Sequence, residues 1–307
     1  MPRFSIIVPC FNAAETLPHT LASIAAQDFD SWELICVDDG STDNTRFIIE
    51  TFAKNEPRVK LCSNSGTGPS SARNHAALNI ASGEIFAFCD ADDLWHTTKL
   101  SVLNAAFQDI SVGATYAQVV FFERDPSTFR TKSTVSECDL TVSRLLAENP
   151  VCTMSNLAVR RVEFEATGGF DTSMVHNEDL DWLIRLVGRG ARVVGLKQVL
   201  VWYRASPSGL SSDLWAMKLG REKAIETAAR FGVRPDRKSN AIHMRYLARR
   251  ALRMGYGGFS SLQFVLCGLL YSPRGFFSPA RRGVLTAVAA LCALIMPRVL
   301  RRALFAN

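Results

Sequence analysis

Four short apolar runs alternate with helix-forming segments over the first 90 residues, and few architectures accept that rhythm. The runs are 4–10, 32–37, 59–62 and 85–89. Between them lie 13–28, whose Leu17, Leu21, Ile24 and Ala25 share one helical face, then 45–55 and 72–81. A run apolar at nearly every position is a strand covered on both faces, the habit of parallel sheets. Strand and helix alternating this way predict a doubly wound α/β sheet, mixed but mostly parallel, with right-handed crossovers.

The ends of those runs carry the chemistry, because open α/β sheets bind ligands beyond the carboxyl ends of their strands. The fourth run stops on Asp90-Ala91-Asp92-Asp93 and the second on Asp38-Asp39-Gly40-Ser41. Crowded carboxylates repel unless a cation, a proton or solvent compensates. Hard oxygen ligands suit Mg²⁺ or Mn²⁺, which commonly sit between carboxylates and phosphate oxygens. The competing reading of Asp90–Asp93 is an acidic N-cap on a helix starting near Trp95. Asp39 can accept from a nucleobase N–H, or belong to a capped turn. Ser71-Ala72-Arg73-Asn74 opens a helix after the Gly- and Ser-bearing loop 65–71. A helix N-terminus favours anions, and Arg73 either binds a phosphate or base or stays solvated.

Past residue 95 the rhythm loosens. Helices are expected over 99–108, 140–148 and 180–188, strands over 114–123, 156–160 and 191–203, and a helical region over 214–231. Glu178, Asp179 and Asp181 lie around the start of the third of these helices. They cap it, pair with Arg185, or supply a general base aimed into a cleft. Tyr203-Arg204 either binds a diphosphate or is plain sheet edge. The P-loop pattern and the nucleophile elbow are absent. Eight cysteines form no CxxC pair, and His75, His96, His176 and His243 show no ligand spacing. Met1-Pro2-Arg3 leads into the first strand without a signal-peptide pattern, so a reducing cytosol is the expected compartment.

Charge divides the chain. From Lys218 onward 17 basic residues face three acids, whereas the preceding part has 18 basic and 26 acidic residues. Two apolar stretches, 262–271 and 284–296, are shorter than the ~20 residues a spanning helix needs. Arg281, Arg282, Arg298, Arg301 and Arg302 bracket the second. Short apolar helices framed by arginine suit an anionic membrane surface. Helices packed on the main domain are one alternative, and a nucleic-acid-binding or other non-enzyme protein using the basic tail is another. Nucleic acid is disfavoured because the aromatics form no stacking platform.

Six segments in order resemble family 2 glycosyltransferases: Ser5 to Asn12 (SIIVPCFN), Val37 to Asp43 (VDDGSTD), Gly68 to Asn74, Asp90-Ala-Asp-Asp93, Gly168-Gly-Phe-Asp171, and Glu178-Asp179-x-Asp-x-x-x-Arg185. The similarity covers roughly residues 3–212. It implies a GT-A fold over 1–215, with a nucleotide-binding part (1–95) and an acceptor part (96–215); the charge and apolar pattern make 216–307 a basic helical membrane-associating tail. The implied reaction is inverting sugar transfer from a nucleoside diphosphate sugar to a saccharide or lipid-linked acceptor, as in bacterial surface polysaccharide or glycolipid synthesis. By that resemblance Pro9 lines the nucleotide pocket, Asp39 and Arg73 face the base, and Asp90 reaches the ribose or metal region. Asp92 holds Mn²⁺ or Mg²⁺ on the diphosphate, and Asp179 is the base, with Glu178 beside it. Asp93 is left as the cap. The implied location is the inner face of the cell membrane, bound peripherally. Two family features are missing. Tyr203-Arg204-Ala205-Ser206 lacks the histidine of a Tyr-Arg-x-His segment, and no Gln-x-x-Arg-Trp signature of processive synthases is present. One sugar per encounter is therefore expected.

Overall fold

A computed structural model describes residues 1–122, 125–128, 131–205, 213–254, 258–297, 300–301 and 304. Ser206 of the Tyr203-Arg204-Ala205-Ser206 segment, Arg298 and Arg302 lie outside them. In chain order the elements are β1 (Phe4–Cys10), α1 (Leu17–Ala25), β2 (Trp32–Asp38), α2 (Thr45–Asn55), β3 (Val59–Ser63), α3 (Gly68–Asn79), β4 (Ile85–Phe88), β5 (Leu94–Trp95), α4 (Lys99–Ala106), β6 (Val112–Phe122), β7 (Thr131–Lys132), α5 (Val142–Ala147), β8 (Leu157–Arg160), α6 (Arg161–Thr167), α7 (Glu178–Gly188), β9 (Arg192–Arg204), α8 (Leu214–Ala229), α9 (Arg237–Arg253), α10 (Gly258–Tyr271), α11 (Pro273–Phe276) and α12 (Ala280–Ile295). They fall into two compact units, Met1–Leu140 with Pro150–Ala205, and Thr141–Asn149 with Ser206–Asn307. The short helix α5, expected as part of the sheet-bearing half, belongs to the second unit.

The first unit is built on one mixed sheet in the order β3-β2-β1-β4-β8-β6-β9-β5, with β7 paired to β6. The four expected strands are its parallel half: Phe4 to Cys10 pairs with Trp32 to Asp38, and β4 runs parallel on the other side of β1. Every residue of β2 and β4 is buried, which accounts for their unbroken apolar character. The sheet then turns antiparallel across β8 and becomes parallel again between β6 and β9. The mixed α/β architecture expected from the sequence is present.

Proline corrects two helix starts. The segment 13–28 is helical only from Leu17, where Pro18 occupies the first turn. Proline has no N–H to give an earlier residue, so it belongs at a helix start and not in its interior. Pro69 likewise sits in the first turn of α3, which begins at Gly68 and absorbs half of the expected loop. No helix starts near Trp95: that residue lies in β5, and α4 starts at Lys99.

The second unit contains α5 and α8–α12. Asp213 caps α8 by accepting from the Trp215 and Ala216 N–H groups, and Asp236 caps α9 through Ser239 N–H. Arg245, only 3% exposed, donates to the Phe276 and Ser278 carbonyls and so ties α9 to α11.

Candidate active site

The site lies in the first unit, at the carboxyl ends of β2 and β4 and the start of α7. Asp39 follows β2, and each of its oxygens holds the loop before α3: Oδ1 accepts from Asn64 Nδ2 at 2.7 Å, Oδ2 from Gly68 N–H at 2.8 Å. Gly68 has φ +85°, a conformation glycine adopts without strain. Pro9, on β1 beside Val37, is half-buried.

Arg73, on α3, is 4% exposed and sits among carboxylates. Its Nη2 donates to Asp90 Oδ1 at 2.6 Å, and its Nη1 is 3.7 Å from Glu178 Oε1. Burial weakens its hold on the proton, but Asp90 and Glu178 outweigh that and keep it charged. The solvated alternative for Arg73 does not hold: it is buried, and its direct partners are acidic side chains. Its Nε and Nη1 are buried without a hydrogen-bond partner. Asn74, one residue on, accepts from Phe170 N–H and donates to the Phe170 carbonyl, both at 2.8 Å. It replaces a strand partner for a segment whose Gly168 and Gly169 take φ +76° and +79°. This joins the Arg73-Asn74 and Gly-Gly-Phe-Asp segments, 96 residues apart. Asn74 carried no assignment in the sequence reading.

The three aspartates after β4 have different surroundings. Asp90 is held by Arg73 and by Thr153 Oγ1, which donates to Oδ2 at 3.1 Å. Asp93 is fully buried and caps no helix, contrary to expectation. It accepts from Arg204 N–H at 2.8 Å and from Ser155 Oγ, so it fastens the end of β9 to the 3₁₀ turn Met154–Asn156. Burial, then the charges of Asp92 and Asp90, push its carboxyl well up. Asp92 is half-buried and has no cationic side chain in salt-bridge contact among the described residues. Burial first, and Asp90 second, raise it to about 6, against the opposing pull of its own N–H and of Arg204. Arg204 Nε donates to the Asp92 carbonyl at 3.0 Å, and its guanidinium lies 4.6 Å from the Phe122 ring centre.

Sequence reasoning missed the hub beneath this cluster. Ser155, fully buried, accepts from Asp90 N–H at 2.9 Å, and its carbonyl accepts from Trp95 Nε1 and Lys99 Nζ. Lys99 is fully buried, which lowers it to about 7 despite Cys89 and Asp93 nearby. Serine and lysine without neighbouring motif residues give no signal in one sequence.

Glu178 and Asp179 stand inside the first turn of α7, not before it. Burial, then the charge of Asp179, raises Glu178 to about 7 against Arg73; burial also raises Asp179, against the Leu180 N–H and Arg73. Asp181 is engaged elsewhere, accepting from Arg185 Nε at 2.9 Å.

No group of three or more His, Cys, Asp or Glu with metal-holding geometry occurs among the described residues. The described residues by themselves therefore offer no all-protein metal cage. A half-buried carboxylate raised to about 6 by burial and by Asp90 fits the other arrangement, in which Mg²⁺ or Mn²⁺ is shared with a ligand's phosphates.

Residues 5–167, more than half the chain, match the family model described as Glycosyl transferase family 2. The chain belongs to that family. Among relatives of this glycosyltransferase, the Escherichia coli UDP-Glc:alpha-D-GlcNAc-diphosphoundecaprenol beta-1,3-glucosyltransferase WfgD is 30% identical over 211 residues, 68% of this chain and 79% of the relative. The putative teichuronic acid biosynthesis glycosyltransferase TuaG of Bacillus subtilis is 28% identical over 70% of this chain and 83% of its own. Among solved structures, S. aureus TarS 1-349 in complex with UDP superposes with a TM-score of 0.61 at 19% identity, covering 94% of this chain and 90% of that one. The mannosyltransferase PcManGT from Pyrobaculum calidifontis, in complex with GDP-Man and Mn²⁺, gives 0.56 at 22% identity over 99% and 84%. These likenesses establish the GT-A fold. The enzyme is a glycosyltransferase.

Proposed function

We propose that this glycosyltransferase moves a sugar, with inversion, from a UDP-sugar to a hydroxyl of a saccharide or lipid-linked acceptor. The observation that carries the reading is the charge arrangement at the sheet edge: Arg73 neutralises Asp90 and leans on Glu178, while Asp92, raised to about 6 by burial and by Asp90, has only the weaker pull of Arg204 against it. That is a site waiting for a cation and an anionic ligand together. Asp92 would hold Mn²⁺ or Mg²⁺, which when bound stabilises the negative charge on the leaving diphosphate. Pro9 and Asp39 border the nucleotide. Asp39 is already bonded to Asn64 and Gly68, but a carboxylate oxygen has a second lone pair for a nucleobase N–H. Asp90 faces the ribose side, and Arg73 Nε and Nη1, which make no hydrogen bond among the described residues, are donors for a substrate oxygen. Arg204 adds positive charge near the diphosphate.

Asp179 takes the acceptor's proton. An alcohol is a poor nucleophile until that proton leaves, and burial has already raised Asp179 towards the pH at which it works. Glu178 is drawn towards Arg73, which leaves the base role to its neighbour. A base opposite the leaving group gives single displacement and inversion. The lipid-linked acceptor and the basic C-terminal residues suit the inner face of the cell membrane, where the enzyme sits peripherally. A screen of UDP-, GDP- and dTDP-sugars for divalent-metal-dependent hydrolysis tests the reading. Turnover of a UDP-sugar supports it, and silence with all of them, with and without acceptor lipid, refutes it.

A further inference from the structure

Two helices of the second unit are packed inside out. α10 buries Gly258, Ser261, Val265 and Gly268, and α12 buries Gly283, Thr286, Ala290 and Ala293. Both seams have the same spacing, and three of the four residues on α10, like all four on α12, are small or polar. The backbones approach closely as a result: a Cβ on Gly258 would lie 2.5 Å from the Ala293 carbonyl. Phe264 and Leu269 of α10 also lean inward, but most of the other large apolar side chains point the other way. Phe259 is 75% exposed, Leu270 77%, Leu285 59%, Leu291 55% and Ile295 90%. A shallow apolar groove of about 230 Å³ runs along α10 between Phe259 and Leu270.

A helix in water buries its large apolar residues and exposes small and polar ones. Helices surrounded by lipid do the reverse, since small residues let them pack and the large ones meet acyl chains. No described helix is long and apolar enough to cross a bilayer. At 14 and 16 residues, α10 and α12 reach about 21 and 24 Å, against ~30 Å of hydrocarbon. Neither carries a charge beyond the first turn of α12. Tyr271, Arg274 and Arg281, all exposed, lie along the connection from the end of α10 to the first turn of α12, which matches the chemistry of an anionic headgroup layer.

We propose that α10 and α12 insert their outer faces into one leaflet of an anionic phospholipid bilayer, with Arg274 and Arg281 at the headgroups. This deepens the membrane contact in the reading above: the hold is hydrophobic, and the arginines select the lipid. It is independent of the sugar chemistry.

Flotation of the full-length protein with phosphatidylcholine vesicles, with and without phosphatidylglycerol, tests it. The protein should float with the anionic vesicles and keep a substantial bound fraction at about 1 M salt, where surface charge is screened. L285E/L291E should lower partitioning roughly tenfold or more in either salt, and F259S/L270S should repeat the effect by a milder change. R274Q/R281Q should chiefly erase the preference for phosphatidylglycerol. Circular dichroism and vesicle-free donor hydrolysis should be unchanged in all three, which separates this proposal from the catalytic reading. Binding abolished by salt yet indifferent to both apolar variants would overturn it. So would a dimer in sedimentation that L285E/L291E turns into a monomer without any vesicle binding.

Discussion

Glu178→Gln should make the protein more stable at alkaline pH while impairing it as an enzyme. In the fold the Glu178 carboxyl is raised from 4.5 to about 7, first by burial and then by Asp179. A raised carboxyl favours its protonated form, so ionisation opposes folding. The penalty is absent below the unfolded value, grows between 4.5 and 7, and is complete above. At 1.36 kcal/mol per unit the full penalty is about 3 kcal/mol. Partial ionisation leaves about 1 kcal/mol at pH 5 and about 3 kcal/mol at pH 8. Glutamine keeps the shape and never ionises. The stability difference between variant and wild type should therefore shift by about 2 kcal/mol in the variant's favour from pH 5 to pH 8. Comparing the two pH values cancels any constant effect on Arg73, which retains Asp90 at 2.6 Å. Urea unfolding followed by tryptophan fluorescence is a suitable assay, since Trp182 is buried on the same helix. Parallel stability curves for the two proteins would show that Glu178 is not held up by its surroundings. Gain of stability on removing a charged group is the usual mark of a site kept for function.

Three further outcomes follow from the same geometry. Asp179→Asn should retain donor binding while kcat falls on the order of 10²-fold or more; an unchanged kcat moves the base elsewhere. EDTA, or Asp92→Asn, should abolish transfer, and full activity under either would remove Asp92 from the metal. Glu33 reports on the scaffold instead. Burial pushes its carboxyl up, but Lys60, Ser5 and Ser82 prevail and hold it at about 2. A depressed carboxylate stabilises above its unfolded value and loses that contribution as pH falls through 2. Glu33→Gln should then cost about 2 kcal/mol at pH 7, after allowance for solvent around half-exposed Lys60, and almost nothing at pH 2. Acid unfolding curves that stay separated at pH 2 would contradict it.

The parallel half of the sheet was legible because local signals and burial agree there. β1, β2 and β4 are covered on both faces or nearly so, so their composition alone reports the strand, whereas β3, at the sheet edge, buries only Val59. The order of the motifs was equally legible, and with it the family. Helix starts failed where Pro18 and Pro69 outweighed periodicity. The antiparallel crossing through β8 and the placing of α5 had no local signature, since both depend on partners far along the chain.

By itself the sequence determined which residue types stand at the strand ends: three aspartates after β4, one after β2, and the acidic start of α7. Only the tertiary structure decided how they differ. Asp93 is spent on Ser155 and the Arg204 backbone, Asp90 on Arg73 and Thr153, and Asp92 on none of these. The sequence likewise showed that the C-terminal helices are apolar, while only the fold showed that their small residues face inward and most of their leucines outward. The physical reason is common to both cases. Charge and hydrophobicity belong to a residue, but desolvation and counter-charge belong to its neighbours, and those are assembled from segments up to 112 residues apart.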